Sequence, residues 1–308
     1  MNNPTDGATG LPVIAAHNHL TIRGNGATIT RSAAPGTPAF RLFDVASGAA
    51  LTLENLTLAN GLVIAEPRMD GCGGAILNAA GASLTVKCSA FTGNQVVGGD
   101  GGGDLGGLGC GGALWNDGTA NVEYVIFRDN QAIGGATTSP DPANYDIVLG
   151  GLGWGGAVSS QDQGTLTVRN CWFTGNRAVG GHRHQSNGQY DGAGASGAID
   201  NWGVASISET AFTDNQAIGC IGDAGVDGGF AIGGAVGNGG KLADSLECTI
   251  QNCTFRHNLA IAADGGQGKG GGYAVDTGAL FGFPDTASVT LNGGSKVNHN
   301  HPDDAFHF

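Results

Sequence analysis

Two stretches of this chain concentrate side chains able to do chemistry. Asp141, Tyr145, Asp146 and Trp154 fall within residues 134–154, and His182, Arg183, His184, Gln185, Tyr190 and Asp191 fall within 180–195. Rings beside carboxylates and a guanidinium suit a glycan, because rings stack on the apolar face of a sugar and charged forks hydrogen-bond its hydroxyls in pairs. Catalysis asks more of the same groups. A polysaccharide lyase needs a base and a cation to neutralise charge on its substrate, and a glycoside hydrolase needs two carboxyl groups about 5–9.5 Å apart. Asp141, Asp146 and Asp191 with Arg183 are the group with that composition.

Metal and thiol chemistry is thinner. Gly98-Gly99-Asp100-Gly101-Gly102-Gly103-Asp104 shares residue types with the Gly-Gly-x-Gly-x-Asp calcium repeat, but its aspartates are spaced differently and no tandem copy follows. No cofactor is expected, and Ca2+ is the one ion this stretch leaves open. Seven cysteines cannot all pair internally, and none has the C-x-x-C or Cys/His spacing of a zinc site. Cys248 and Cys253 are five apart, an offset that within one strand points them to opposite faces. Cys72 and Cys110 each stand three residues before the alanine of a repeat, so they are expected to stack in adjacent coils. A separation of about 4.8 Å there is near the range a disulfide tolerates. The other cysteines are expected to be small buried hydrophobes.

What positions these groups is a repeat. Gly-Gly-Ala-apolar openings stand at Gly73, Gly111, Gly155, Ser196 and Gly233, with a degenerate sixth at Gly272-Tyr273-Ala274-Val275. Phe-x-x-Asn closings run from Phe91, Phe127, Phe173, Phe212 and Phe255, with a weakened sixth from Val297 to Asn300. A supersecondary unit recurring at this period buries its apolar face only by stacking on the next copy, which makes a solenoid. Three strand signals recur per unit. One follows Gly-Gly, the second alternates as in Leu84/Val86 and Leu166/Val168, and the third follows the closing Asn as in Val96-Val97.

Stacked in register, the phenylalanines form an internal column, and Asn94, Asn130, Asn176, Asn215, Asn258 and Asn300 form an amide ladder. A second polar column, three residues past each alanine, comprises Asn78, Asn116, Ser160, Asn201, Asn238 and Thr277. The glycine-rich insertions 98–110, 134–154, 180–195, 219–232 and 262–271 all leave one corner, between the third strand and the next first strand. They are expected to line up as a wall, the usual place for function on a rigid scaffold.

Upstream, Leu20–Ile29 and Leu51–Leu58 alternate without Gly-Gly-Ala and add about two coils. The expected fold is all-β: a single right-handed parallel β-helix solenoid of about eight coils, roughly 40 Å long at one strand spacing per coil. It forms one domain over 1–308. Residues 1–70 are the N-terminal cap and opening coils, 71–300 the six repeat coils, and 301–308 a C-terminal tail expected to protect the open strand edge.

With 13 basic and 26 acidic residues the formal charge is −13, which repels phosphate backbones and argues against a nucleic-acid partner. Neutral glycans and cationic surfaces remain compatible. No apolar run approaches the ~18–20 residues of a membrane helix, so membrane insertion by this chain is not expected. The start, Met1-Asn2-Asn3-Pro4, lacks the regions of a signal peptide, so an export signal would lie outside this chain.

The paired signatures of residues 73–300 resemble the repeats of polymorphic outer membrane proteins. More broadly, the chain is similar to right-handed β-helix proteins of the pectin-lyase-like superfamily, whose opening coil Leu20–Ile29 resembles. The resemblance implies an exported, adhesin-like passenger at an extracellular or cell-surface location, and its motif carries no catalytic residues. In that family a membrane barrel follows the β-helix; none follows within this chain. The leading expectation is a noncatalytic protein that binds a polysaccharide or other cell-surface partner through the loop wall. A polysaccharide lyase or glycoside hydrolase on the same scaffold is the alternative, and a self-assembling structural module the third; oligomeric state is left open.

Overall fold

The computed structural model describes residues 2–3, 7–101, 106–136, 151–161, 164–182, 192–220, 229–239, 246–262, 268–269, 273–276, 287–292, 294–301 and 305–307. Among them every regular element is a strand, and every strand pairing is parallel except Asn2–Asn3 with Gly7–Ala8. The protein is a parallel β-solenoid with four stacked sheets.

One coil holds five short strands: Gly71–Cys72, Ile76–Asn78, Ser83–Lys87, Ala90–Thr92 and Gln95–Val97. The next repeats them as Gly109–Cys110, Leu114–Asn116, Thr119–Glu123, Ile126–Arg128 and Gln131–Ile133. The three runs legible in the sequence are all strands; the Phe-centred strand and the two-residue glycine strand are additional. We call the sheets, in chain order around the coil, the corner sheet of six strands, the opening sheet of eight, the broad sheet of 14 and the exit sheet of six. The Ser83–Lys87 and Ala90–Thr92 rows are two halves of the broad sheet, joined through the continuous strand Ala50–Ala59.

Three left-handed residues turn each coil. Gly73, Gly111, Gly155, Ser196 and Gly233 (φ 59° to 62°) turn from the corner sheet to the opening sheet. Asn55, Cys88, Tyr124, Asn170, Glu209 and Asn252 (φ 47° to 54°) bend the broad sheet. Asn60, Gly93, Asp129, Gly175, Asp214, His257 and His299 (φ 53° to 67°) lead into the exit sheet. Glycine and asparagine tolerate this region best, which explains much of their use here. In Gly-Gly-Ala the two glycines have different duties. The first supplies the positive φ, and the second supplies room, since a side chain on Gly74 or Gly112 would meet the carbonyl oxygen of Gly112 or Gly156 one coil on.

The core is built of columns. Phe91, Phe127, Phe173, Phe212 and Phe255 are fully buried and stack at centroid spacings of 4.8, 4.6, 5.0 and 4.7 Å, with planes within 15°. Such stacking adds about 0.5–1.5 kcal/mol per pair to the area buried. Ile29 and Leu58 precede the rings in the column and Val297 ends it.

Beside it runs the asparagine ladder. Each Nδ2 donates to the Oδ1 of the next coil, from Asn94 through Asn300, at 2.9–3.0 Å. It also donates to the carbonyl of the residue three before the ladder Asn one coil earlier, such as Phe91 O for Asn130 and Phe127 O for Asn176. The second polar column is less regular. Asn78 donates to Asn116 Oδ1, Asn116 to Ser160 Oγ and Asn201 to Asn238 Oδ1. Asn78 Oδ1 and Asn201 Oδ1 are buried without a partner. Both follow a rung with no amide to donate, Val45 and Ser160 respectively.

Three sequence expectations change. Cys248 and Cys253 are both buried in the main core, because the bend at Asn252 separates them and resets the alternation. In the sixth repeat Tyr273, not Val275, lies opposite Val236, so Val275 rather than Thr277 faces Asn238. The register is shifted by two residues; Thr277 itself is outside the described residues. In the tail, Ala305–His307 pairs with Tyr273–Asp276 as the last strand of the opening sheet. At the other end buried Arg41 donates to Cys72 O at 2.9 Å and Gly73 O at 3.4 Å, satisfying carbonyls where the corner sheet begins.

Candidate functional site

The insertions spring from one edge. Their exit residues Val97, Ile133, Val179, Ile218 and Ile261 are register partners along the exit sheet. Their return residues Gly109, Gly153, Gly194, Ala231 and Gly268 are partners along the corner sheet. The loop bases then pack backbone against backbone: Gly99 N–H donates to Met69 O, Gly107 to Gly99 O, Gly135 to Gly107 O and Gly181 to Gly151 O, at 2.7–2.9 Å. Carboxylates secure the same edge. Asp70 Oδ1 accepts from Leu108 N–H at 2.8 Å and Asp100 Oδ1 from Ala136 N–H at 2.9 Å.

Of the predicted site residues, Trp154 and His182 are described. Trp154 ends the return strand Gly153–Trp154, is half-buried, and stacks on Trp202 at 5.2 Å with planes 28° apart. It packs against the small cluster of Leu152, Ala193 and Phe230. His182 is exposed on the exit side of the following insertion. Asp141, Tyr145, Asp146, Arg183, His184, Tyr190 and Asp191 lie outside the described residues, as do Gly102 to Asp104 of the calcium-like stretch.

Under Trp154 sits a polar cluster that the sequence reasoning missed. Asp200 is only 4% exposed; its Oδ1 accepts from Ser196 Oγ at 2.9 Å, and its Oδ2 accepts from Trp202 Nε1 at 2.7 Å and from Ser159 Oγ at 3.5 Å. Gln161 Nε2 donates to Ser159 Oγ at 2.8 Å. The signal was there as two departures in one coil. Ser196 stands where the repeat has glycine, and Asp200 occupies a register position that holds Asp44 on the opening rung and Leu77, Trp115, Ser159 and Gly237 on other repeat rungs. Chemically the carboxylate is a hub: it fixes the Trp202 indole, and that indole supports the Trp154 ring at the mouth of the insertion.

The buried thiols are held away from reactivity, whereas Cys88 is exposed and Cys72 partly so. Cys72 and Cys110 are direct register partners, as expected, and both are free thiols. The hydrogen bond to Cys72, followed by burial, pushes the Cys110 thiol well up. Burial raises Cys171 to about 11 and Cys248 to about 12, and it raises Cys253 as well. A thiol so raised supplies almost no thiolate near neutral pH. Among the described residues no three His, Cys, Asp or Glu side chains converge as metal ligands, and no helix is long and apolar enough to cross a membrane.

Comparison with protein-family models, with curated proteins and with solved structures returned no match.

Proposed function

We propose that this protein is a noncatalytic secreted or cell-surface solenoid that binds a glycan or similar surface partner through its wall of glycine-rich loops. The resemblance to polymorphic outer membrane protein repeats and to pectin-lyase-like β-helices belongs to the same proposal. One observation carries it: the stems of five insertions are in register along two adjacent sheets, so unequal loops are presented side by side on one edge. A rigid scaffold with variable loops is the arrangement that binding sites favour. Trp154, braced by Trp202 and Asp200, supplies a pre-oriented ring at that edge.

The test is a glycan array probed with the wild type and with Trp154→Ala, Arg183→Ala and Tyr190→Ala. Binding that all three substitutions weaken supports the reading; a blank array, or binding that ignores them, overturns it. The same glycans, incubated with the protein and assayed for unsaturated products and new reducing ends, must stay intact. Cleavage would replace the binding reading with the lyase or hydrolase one.

A further inference from the structure

A second surface stands apart from the loop wall, where the broad sheet bends. A groove of about 410 Å³ crosses five coils there, from Gly26 and Asn55 through Cys88 to Tyr124, Ile126 and Trp172. Its relief comes from one row of outward side chains. Ala90, Ile126 and Trp172 are register partners on successive rungs, so a small residue forms the floor and two larger ones the rising wall. Trp172 is 48% exposed, Tyr124 49% and Ile126 37%.

Both rows vary from rung to rung, and large apolar residues gather on neighbouring rungs here. At the bend, Asn55, Cys88, Asn170, Glu209 and Asn252 hold the left-handed conformation, and Tyr124 is the one aromatic residue among the six, at φ 54° against its steric preference. On the outward row, later rungs carry Ala211, Thr254 and Lys296 in the place of Ile126 and Trp172. Strained backbone and exposed rings at one spot mark a surface held for a ligand.

Size and charge identify the occupant. Ten residues line the groove, against the ~20–30 a side of a stable protein interface, and it is shallow and open, which suits a short extended ligand lying along the rungs. The charges along its margin are matched in pairs, Arg23 with Glu54, Lys87 with Glu123 and Arg169 with Glu209. In a protein of net charge −13 this margin is locally neutral, so it attracts neither anions nor cations. Flat rings bind the apolar face of a sugar, and Asn55 and Thr57 line the groove with groups that meet hydroxyls. We infer that this groove binds a short neutral oligosaccharide, whose rings lie along successive rungs with Tyr124 and Trp172 as the stacking platform. It is a site independent of the loop wall.

The experiment titrates neutral oligosaccharides of three to six residues, and uronate-containing ones of the same length, into the full chain. Tryptophan fluorescence and calorimetry read binding, and protection of exposed Cys88 from iodoacetamide reads its location. Neutral ligands are expected to bind, shield Cys88 and lose at least tenfold in affinity in Trp172→Ala and in Tyr124→Asn. Tyr124→Asn puts a residue that tolerates the left-handed conformation at the bend, so it is expected to raise the melting temperature while it weakens binding, which separates a ligand role from a structural one. Trp154→Ala and Arg183→Ala are expected to leave Cys88 protection unchanged. The inference is overturned if no neutral ligand binds at millimolar concentration, or if uronates bind as well as neutral chains. It is equally overturned if binding follows Trp154 and Arg183 instead of Tyr124 and Trp172. A mass by light scattering that falls in Trp172→Ala would mean that the groove holds a second copy of this chain, and that too overturns it.

Discussion

Replacing Asn176 by Ala tests whether the asparagine ladder holds the coils together. The substitution removes four buried hydrogen bonds. Two run to Oδ1 from Asn130 N–H and Nδ2, at 3.1 and 2.9 Å, and two run from Nδ2 to Phe127 O and Asn215 Oδ1, at 3.0 and 2.9 Å. Asn215 Oδ1 keeps the Asn176 backbone N–H, and the other Asn130 amide proton keeps Phe91 O. Two donors on Asn130 are therefore left buried without an acceptor, and each such group costs about 1–3 kcal/mol. The expected loss is about 3–5 kcal/mol. Asn78→Ala is the control. It breaks the bonds to Asn116 Oδ1 and Thr119 O, but it also removes an acceptor that has no partner, so its expected cost is about 1–2 kcal/mol. Urea unfolding followed by tryptophan fluorescence reports the relevant coils, because Trp115, Trp154, Trp172 and Trp202 flank position 176 in the stack. Amide exchange should be measured alongside, since a repeat array need not unfold as one unit. Equal costs for the two variants, or a cost under ~1 kcal/mol for Asn176→Ala, would refute the ladder reasoning.

Other outcomes follow from the same columns and from the thiols. Phe173→Ala opens a gap between two stacked rings and is expected to cost ~3–5 kcal/mol, read as a fall in thermal midpoint; a near-neutral result would show that the column is not packed as described. At pH 8, iodoacetamide is expected to label Cys88 readily and Cys72 partly, and to reach Cys171 and Cys248 only after unfolding; native labelling of Cys248, located by peptide mapping, would contradict its burial. Because folding raises Cys171 to about 11 and Cys248 to about 12, the folded chain keeps protons that the unfolded chain releases near pH ~8.5. Their contribution is whole below that pH and is lost as pH rises toward 11–12, so the urea midpoint should fall from pH 8 to 10, and less steeply in Cys248→Ala. Diamide is expected to link Cys72 to Cys110, found as a single cross-linked peptide pair; linkage through Cys88 instead would show that the corner register is wrong.

Much of the scaffold was legible because its devices repeat. The phenylalanines, the closing asparagines and the Gly-Gly pairs each recur at one structural position, so periodicity alone places them. The division into five strands was not legible. The residues that bend the broad sheet vary among Asn55, Cys88, Tyr124, Asn170, Glu209 and Asn252, and what they share is a dihedral angle, not a side chain. Cys248 and Cys253 were misjudged for that reason. Single-coil features were hidden more deeply. Asp200 and its partners, and Tyr124 with Ile126 and Trp172, stand at positions whose residue type changes from rung to rung, and a pattern read from repetition passes over such positions. Of the loop-wall residues, the alignment of Trp154 and His182 beside the common edge was derivable from the insertions' shared corner. The bracing of Trp154 by Trp202 was not, because it depends on a turn that no motif marks.

The asparagine ladder is directional. From Asn94 to Asn258 every side-chain amide points one N–H at the oxygen of the later coil's Asn and its own oxygen toward the earlier coil, so the amide dipoles add head to tail along the axis instead of cancelling. The row needs terminating only twice. Gly61 N–H meets the first oxygen, and the carbonyls of Phe255 and Asn298 receive the last NH2. Each interior rung asks of its neighbours what every other rung already provides. The length of this protein is thus a free parameter of its chemistry: a coil duplicated whole brings its own partners with it, and the two ends need no redesign.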